Sequence, residues 1–347
     1  MDDEDLVGIF EVAEIAGVTR QAVTNWRNRF DDFPPPLADL RSGPVFRRDQ
    51  IRRWLRKRRI PLATIISMIN LKGGVGKTTT TLALADMLSG HFDKKVLVID
   101  LDPQTNATVS LIGEDRWLKL NQQGFTLAQL FKDALESEQS MRSFDVQKVR
   151  QKRVSNVGAV RSVDLLPSSL DLIDVQDHLA SMSSGRFYSQ VPTDILRRAV
   201  KPILDEYDFV LIDCPPNLGI ITLNGLRMSS GYVIPTIPDA LSTYGIPQIV
   251  NRVSTFAESI GEDIEPFGIV VSKYQANSTL HRNTLQWLRK QQDYPPVFNT
   301  VIPQANQIAA AAATEGRVST LKQKWGYTGE EVLYRKLAEE LLEVVLP

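Results

Sequence analysis

The stretch from Ile69 to Thr81, INLKGGVGKTTTT, limits the fold more than any other part of the chain. The apolar run TIISMIN (64–70) before it reads as a strand. The segment from Lys77 to about Ser89 after it reads as a helix. A glycine-dense turn between them begins a strand–helix–strand unit, and such units build parallel sheets covered on both faces. The rest of the chain keeps this alternation. KVLVID (95–100), VDLLPSS (163–169), FVLID (209–213), GYVIPTI (231–237), FGIVVS (267–272) and FNTVIP (298–303) read as strands, and 126–135 and 193–207 as helices. The expected fold is α/β, with a doubly wound, mostly parallel sheet.

The turn itself has phosphate chemistry. Gly73, Gly74 and Gly76 let backbone N–H groups approach anionic oxygens, and the following helix start adds a favourable dipole. The expected cradle is Lys72, Gly73, Gly74, Val75, Gly76, Lys77, Thr78 and Thr79. Within it, Lys77 reaches the β- and γ-phosphates and the Thr78 hydroxyl ligates Mg²⁺. Leu71 stands where the common pattern has its first glycine, and Lys72 is an additional lysine. Asp100, Asp102 and Asp213 stand at or just past strand ends, which gather at the ligand crevice of a parallel sheet. Asp213 is expected to hold Mg²⁺ through water. Asp102 is expected to orient the attacking water and to lie near the metal. Charge cancellation is the alternative for any one of these aspartates.

A second module precedes the sheet. FEVAEIAGVTRQAVTNWRNRF (10–30) places Ala13, Gly17, Val23 and Trp26 at helix-turn-helix spacing. The exposed face of the second helix then carries Thr19, Arg20, Gln21, Thr24, Asn25 and Arg27, groups suited to base edges and phosphates. Downstream, a hairpin turning near Ser42-Gly43, then Arg47 and Arg48, then a helix with Ile51, Trp54 and Leu55 inward, resembles the wing and trailing helix of MerR-like modules. Arg47 to Arg59 holds eight basic residues around one acid, which suits a polyanion, although a solvated helix face would carry the same charge. A small protein-binding adaptor is the other reading of this module. The expected division is residues 1–61 for a winged helix-turn-helix DNA-binding domain and 62–347 for the nucleotide domain, with Pro61 at the seam.

Lys72-Gly-Gly-Val-Gly-Lys77-Thr-Thr resembles the deviant Walker A motif of the ParA/MinD superfamily. DLDPQTNAT, LIDCPPNLG and TVIPQANQ are similar to ParA partition ATPases in particular. The resemblance covers most of residues 64–347. It implies ATP and Mg²⁺ as ligands and a homodimer in which Lys72 reaches the nucleotide of the other subunit. It further implies hydrolysis supported by Lys72, Lys77 and Asp102, a switch segment after Asp213, and an adenine pocket around Pro303. The implied function is DNA partition. An ATP-bound dimer binds nonspecific DNA, a centromere-binding partner protein stimulates hydrolysis, and the N-terminal module can repress the chain's own operon. Lys273, Arg282, Arg289, Lys290, Arg317, Lys322 and Lys324 are the basic candidates for the nonspecific contact. Two alternatives share these motifs: an ATP-switched transcription regulator with little turnover, and a ParA-like ATPase for a chromosome origin or a protein assembly.

Composition removes other classes. A single cysteine, Cys214, excludes a disulfide framework and the two-cysteine cluster bridge of nitrogenase-type iron proteins. The single loop excludes duplicated arsenical-pump ATPases. The last helical turns carry Glu339, Glu340 and Glu343, unlike the basic membrane helix of the MinD type. With no long apolar run, the expectation is a cytoplasmic, nucleoid-associated protein that does not engage a membrane.

Overall fold

A computed structural model of the chain describes residues 6–16, 20–30, 32–40, 43–57, 63–135, 144–181, 192–313 and 316–345. The chain divides into two compact units, residues 1–63 with 201–208, and residues 64–200 with 209–347. The expected seam at 61 and 62 lies outside the described residues.

In the first unit three short strands, β1 (Leu6–Gly8), β2 (Ala38–Leu40) and β3 (Gly43–Arg47), form an antiparallel sheet in the order β1-β3-β2. Helices Ile9–Ile15, Arg20–Arg29 and Arg48–Lys57 accompany them. Helical spacing brings Val12, Ala13, Val23, Ile51, Trp54 and Leu55 into one buried core. Trp26 is half-buried with its ring 5.9 Å from Trp54, and Phe33 meets Trp54 edge-on at 4.7 Å. The β1 strand was not anticipated, because three residues are too few to display a period. The turns expected at Gly17 and near Ser42 fall outside the described residues or at their edge.

In the second unit seven strands form one wholly parallel sheet. They are β4 (Thr64–Met68), β5 (Val96–Asp100), β6 (Val163–Leu166), β7 (Phe209–Asp213), β8 (Gly231–Thr236), β9 (Glu265–Tyr274) and β10 (Val297–Pro303), in the order β10-β9-β8-β4-β7-β5-β6. Every residue of β5, β7 and β8 is buried, as a sheet with helices on both faces requires. The register sets Met68 beside Asp213 and Asp213 beside Asp100, so β4, β7 and β5 end level. From β4 the chain first winds to one side and later returns to the other, so β4 borders the switch point where a crevice opens. Gly231 is obligatory where β8 begins, since a Cβ there would lie 2.3 Å from the Glu265 carbonyl oxygen.

The single helix expected over 193–207 is three pieces: a 3-10 turn Pro192–Asp194, an α-helix Ile195–Val200, and a 3-10 stretch Lys201–Glu206. Pro202 explains the change, since proline lacks the N–H an α-helix needs and crowds the preceding turn.

The helix after the glycine loop, Lys77–Phe92, is buried along most of its length. Asp86 in its interior would be a buried bare charge without partners. It accepts from Lys324 Nζ at 2.8 Å, Trp325 Nε1 at 2.9 Å and Ser155 Oγ at 2.8 Å. Lys324 is therefore not the surface DNA contact the sequence suggested. Its side chain is 1% exposed and serves this ion pair. The other six basic candidates are exposed. Removing one partner of a buried pair strands the other charge. Lys324→Ala is expected to lower unfolding free energy by about 3–5 kcal/mol. Lys322→Ala on the same short helix should stay within about 0.5 kcal/mol in the same chemical-denaturation measurement.

Candidate nucleotide site

The loop after β4 is held in shape by its neighbours. Asn70, polar at the end of an apolar strand, donates from Nδ2 to the Pro235 carbonyl and accepts the Lys72 N–H on Oδ1. From β9, Ser272 Oγ donates to the Val75 carbonyl at 2.6 Å. Gly74 and Gly76 take φ of +74° and +88°, conformations that glycine adopts without strain. A Cβ built on Gly73 or Gly74 would meet nothing within 4 Å, so open space lies beside that backbone. The cradle expected from Lys72 to Thr79 is thus a loop with room on its glycine side, leading into the N-terminus of a 16-residue helix.

Lys77 is 6% exposed, and its ammonium donates to the carbonyls of Asn70 and Lys72, each at 3.2 Å. Burial pushes its pKa down, while the charges of Asp213 and Asp102 push it back up. Thr78 Oγ1 donates to Asp213 Oδ2 at 2.6 Å. The other Asp213 oxygen, Oδ1, is buried and accepts no hydrogen bond. A hydroxyl beside a carboxylate with a bare buried oxygen fits a hydrated divalent cation, whose remaining ligands come from water and phosphate. Among the described residues no cluster of three His, Cys, Asp or Glu forms a protein-only metal cage.

Asp102 lies near enough to Lys77 and Asp213 to act on both electrostatically. It is 6% exposed, its Oδ1 accepts the Gln104 N–H, and its carbonyl accepts Ser168 Oγ. Asp100 departs from expectation. Its carboxyl is spent on the fold, accepting the Thr108 N–H and Oγ1 on Oδ2 and the Asp102 N–H on Oδ1. It fixes the turn that aims Asp102 instead of facing phosphate. Burial and the adjoining Asp213 raise the Asp100 pKa well above the usual carboxylate range. Burial first, then Asp102, push Asp213 up to about 7, against the pull of the Thr78 hydroxyl and Lys77.

Lys72 lies beside the cradle, but in this single chain its amine turns to Asp239, 3.2 Å away, and to Ser242 Oγ at 2.9 Å. Pro303 ends β10 beside Tyr274, where the Gln304 N–H donates to the Tyr274 carbonyl. The contributions of Asn70, Ser272, Ser168 and Asp239 were missed in the sequence. Only Asp239 had a visible signal, the cap pattern Asp-x-x-Ser opening a short helix.

Of the expected DNA-facing residues in the first unit, Arg20 lies 4.4 Å over the Phe10 ring and Thr24 Oγ1 donates to the Arg20 carbonyl. Arg27 pairs with Asp39 at 3.6 Å, Arg47 with Asp49 at 3.3 Å, and Arg48 is half-buried. Thr19 lies outside the described residues, as do the side chains of Gln21 and Asn25.

Against known proteins, the AAA domain family (AAA_31) matches residues 63–266. The chain belongs to the ParA/MinD-type P-loop ATPases. This ATPase is 31% identical to a chromosome-partitioning ATPase Soj of Thermus thermophilus, over 80% of its own length and 94% of that protein. It is 28% identical to the sporulation initiation inhibitor protein Soj of Bacillus subtilis, over 72% and 88%. Among solved structures it is similar to a cobyrinic acid a,c-diamide synthase of Mycobacterium smegmatis with a bound ATP analogue and magnesium. That TM-score is 0.58, with 25% identity and coverage of 81% and 95%. Apo McdA of Cyanothece shares the fold at a TM-score of 0.63, with 21% identity and coverage of 80% and 99%.

The raised Asp213 value has a sign. Its folded pKa exceeds the unfolded value of 3.8, so its contribution to stability is full below about 3.8 and is lost as pH rises through about 7. Asp213→Asn removes that titration. Without nucleotide, its melting temperature relative to wild type should climb steadily from pH 5 to pH 8. Lys77→Ala should abolish nucleotide binding measured by fluorescent-analogue titration.

Proposed function

We propose that this chain is an ATP-dependent DNA-partition ATPase whose ATP-loaded, Mg²⁺-loaded form is a homodimer. The observation that carries the reading is the pairing of two lysines in one loop. Lys77 is buried and committed to its own cradle, whereas Lys72 is 37% exposed and able to reach outward. A cation arriving from a second subunit would neutralise triphosphate charge only when two loaded subunits meet, which makes the nucleotide a condition of dimerisation. The partition ATPases among the relatives support this function.

In this reading the backbone N–H groups of Gly73 to Thr79 and the helix N-terminus hold the phosphates, and Lys77 turns from the Asn70 and Lys72 carbonyls to the β- and γ-oxygens. Thr78 Oγ1 and, through water, Asp213 would hold Mg²⁺, which draws off phosphate charge when bound. Asp102 orients the attacking water, and Asp100 keeps Asp102 in place. Pro303 and the ends of β9 and β10 border the base. The segment after Asp213 responds to the state of the γ-phosphate. Beside it, Pro216, Asn217, Gly219 and Arg252 help line an open cavity of about 770 Å³.

DNA enters the reading twice. The exposed basic residues Lys273, Arg282, Arg289, Lys290, Arg317 and Lys322 support nonspecific contact by the dimer. The first unit, read as a winged helix-turn-helix DNA-binding domain, would recognise an operator through Arg20, Thr24, Arg27, Arg47 and Arg48, with Thr19, Gln21 and Asn25. A centromere-binding partner protein would stimulate hydrolysis, which parts the dimer, releases DNA and so positions plasmid cargo on the nucleoid.

ATP turnover with Mg²⁺ should be slow alone and rise when duplex DNA and the partner are added. Turnover that stays negligible under all conditions would leave an ATP-switched regulator instead. Asp102→Ala should bind ATP and form the dimer but turn over at least tenfold more slowly, as roughly expected for loss of a water-orienting group. Lys72→Ala should bind ATP as a monomer in analytical ultracentrifugation, and a full-strength dimer from that variant would overturn the proposal.

A further inference from the structure

The Lys72 amine is held as well as exposed. Its Nζ donates to both carboxylate oxygens of Asp239, at 3.3 and 3.2 Å, and to Ser242 Oγ at 2.9 Å. An ammonium has three donors and no acceptor, so these contacts use its full complement. In this position it has nothing left for a phosphate.

The acceptors are fixed. Asp239 caps the helix Ala240–Tyr244, with its Oδ1 accepting the Ser242 N–H at 2.7 Å and its carbonyl accepting Thr243 Oγ1 at 2.9 Å. Burial alone would raise the Asp239 pKa, but the Ser242 N–H and Lys72 bring it below the ordinary value. The main chain at Lys72 is tied to the end of β8 through Asn70, which bridges the Lys72 N–H and the Pro235 carbonyl. Loop and cap are thus held together independently of the lysine side chain, and the amine is the part free to leave. Side-chain exposures of 37% for Lys72 and 26% for Asp239 place the ion pair in the weak, water-screened range.

We propose that Asp239 and Ser242 form a holding site for the Lys72 ammonium within its own subunit, which the amine must leave before two subunits close on their nucleotides. Asp239 is a positioning residue that opposes dimerisation in the resting chain. This rests on the reading that Lys72 acts in trans. Two holding sites open per dimer, so the worth of one exposed ion pair enters the dimer equilibrium twice.

Asp239→Asn tests it, because asparagine also caps helices well and only the charge is removed. With a slowly hydrolysed ATP analogue and Mg²⁺, sedimentation equilibrium should give a dimer dissociation constant roughly three- to tenfold below wild type. On a Lys72→Ala background, the same substitution should change the dimer constant by less than about twofold. Circular dichroism and thermal melting establish that each variant is folded. An unchanged or weaker dimer from Asp239→Asn overturns the holding site, as does an equal effect with and without Lys72. If Lys72→Ala alone dimerises as wild type, the trans reading fails, and this proposal fails with it. If Lys72→Ala loses the dimer while Asp239→Asn leaves it unchanged, only the holding site is lost.

Discussion

A buried ammonium has to be compensated, and the Lys77 amine sets that condition for the rest of the site. It lies at the end of a wholly buried strand system, where desolvation works against its charge. Two main-chain carbonyls of the loop accept its protons, and two carboxylates face it from the ends of neighbouring strands. Those carboxylates reach it only because β4, β7 and β5 terminate level, which follows from the residue-by-residue pairing of Met68, Asp213 and Asp100. A slip of one residue would turn Asp213 to the other face of the sheet. Phosphate chemistry at this edge therefore depends on strand register as much as on glycines.

The crowding of acids explains the division of labour between them. Asp100 and Asp213 are adjacent in the sheet and both fully inside it, so ionising both is costly. The structure gives Asp100 three hydrogen-bond donors and a purely architectural task. Asp213 keeps one hydroxyl and one bare oxygen. The second is the more reactive arrangement, and it lies beside the cation-binding hydroxyl of Thr78. Strand-end position alone cannot distinguish these two roles, because both aspartates follow five apolar or nearly apolar residues. What separates them is Thr108, eight residues after Asp100, folding back as a donor.

Much of the fold was legible because parallel strands with both faces covered leave continuous apolar runs, and all seven strands of the second unit were found that way. Their ends shifted by a residue or two, where hydrogen bonding overrides composition. The phosphate loop was legible because its glycines, lysine and threonine are needed at fixed spacing. Tertiary pairing was not legible. Lys324 looked like any surface lysine until Asp86, 238 residues earlier in the chain, was found beneath it. The partition of 193–207 into three pieces was signalled by Pro202 and masked by strong amphipathic spacing. Asp239 lay in a loop that no periodic pattern covered, and only the fold brings it to Lys72.

Cys214 follows Asp213 directly, lies wholly inside the protein, and its thiol is pushed upward in pKa by burial and by the neighbouring aspartate. Thiolate is the reactive form, so this sulfur is chemically quiet in the folded state. The natural chain is thus already a silent background for thiol labelling. Cysteines introduced on its surface can carry fluorophores or spin probes, and subunit association can be followed by distance without altering the strand end that holds the site together.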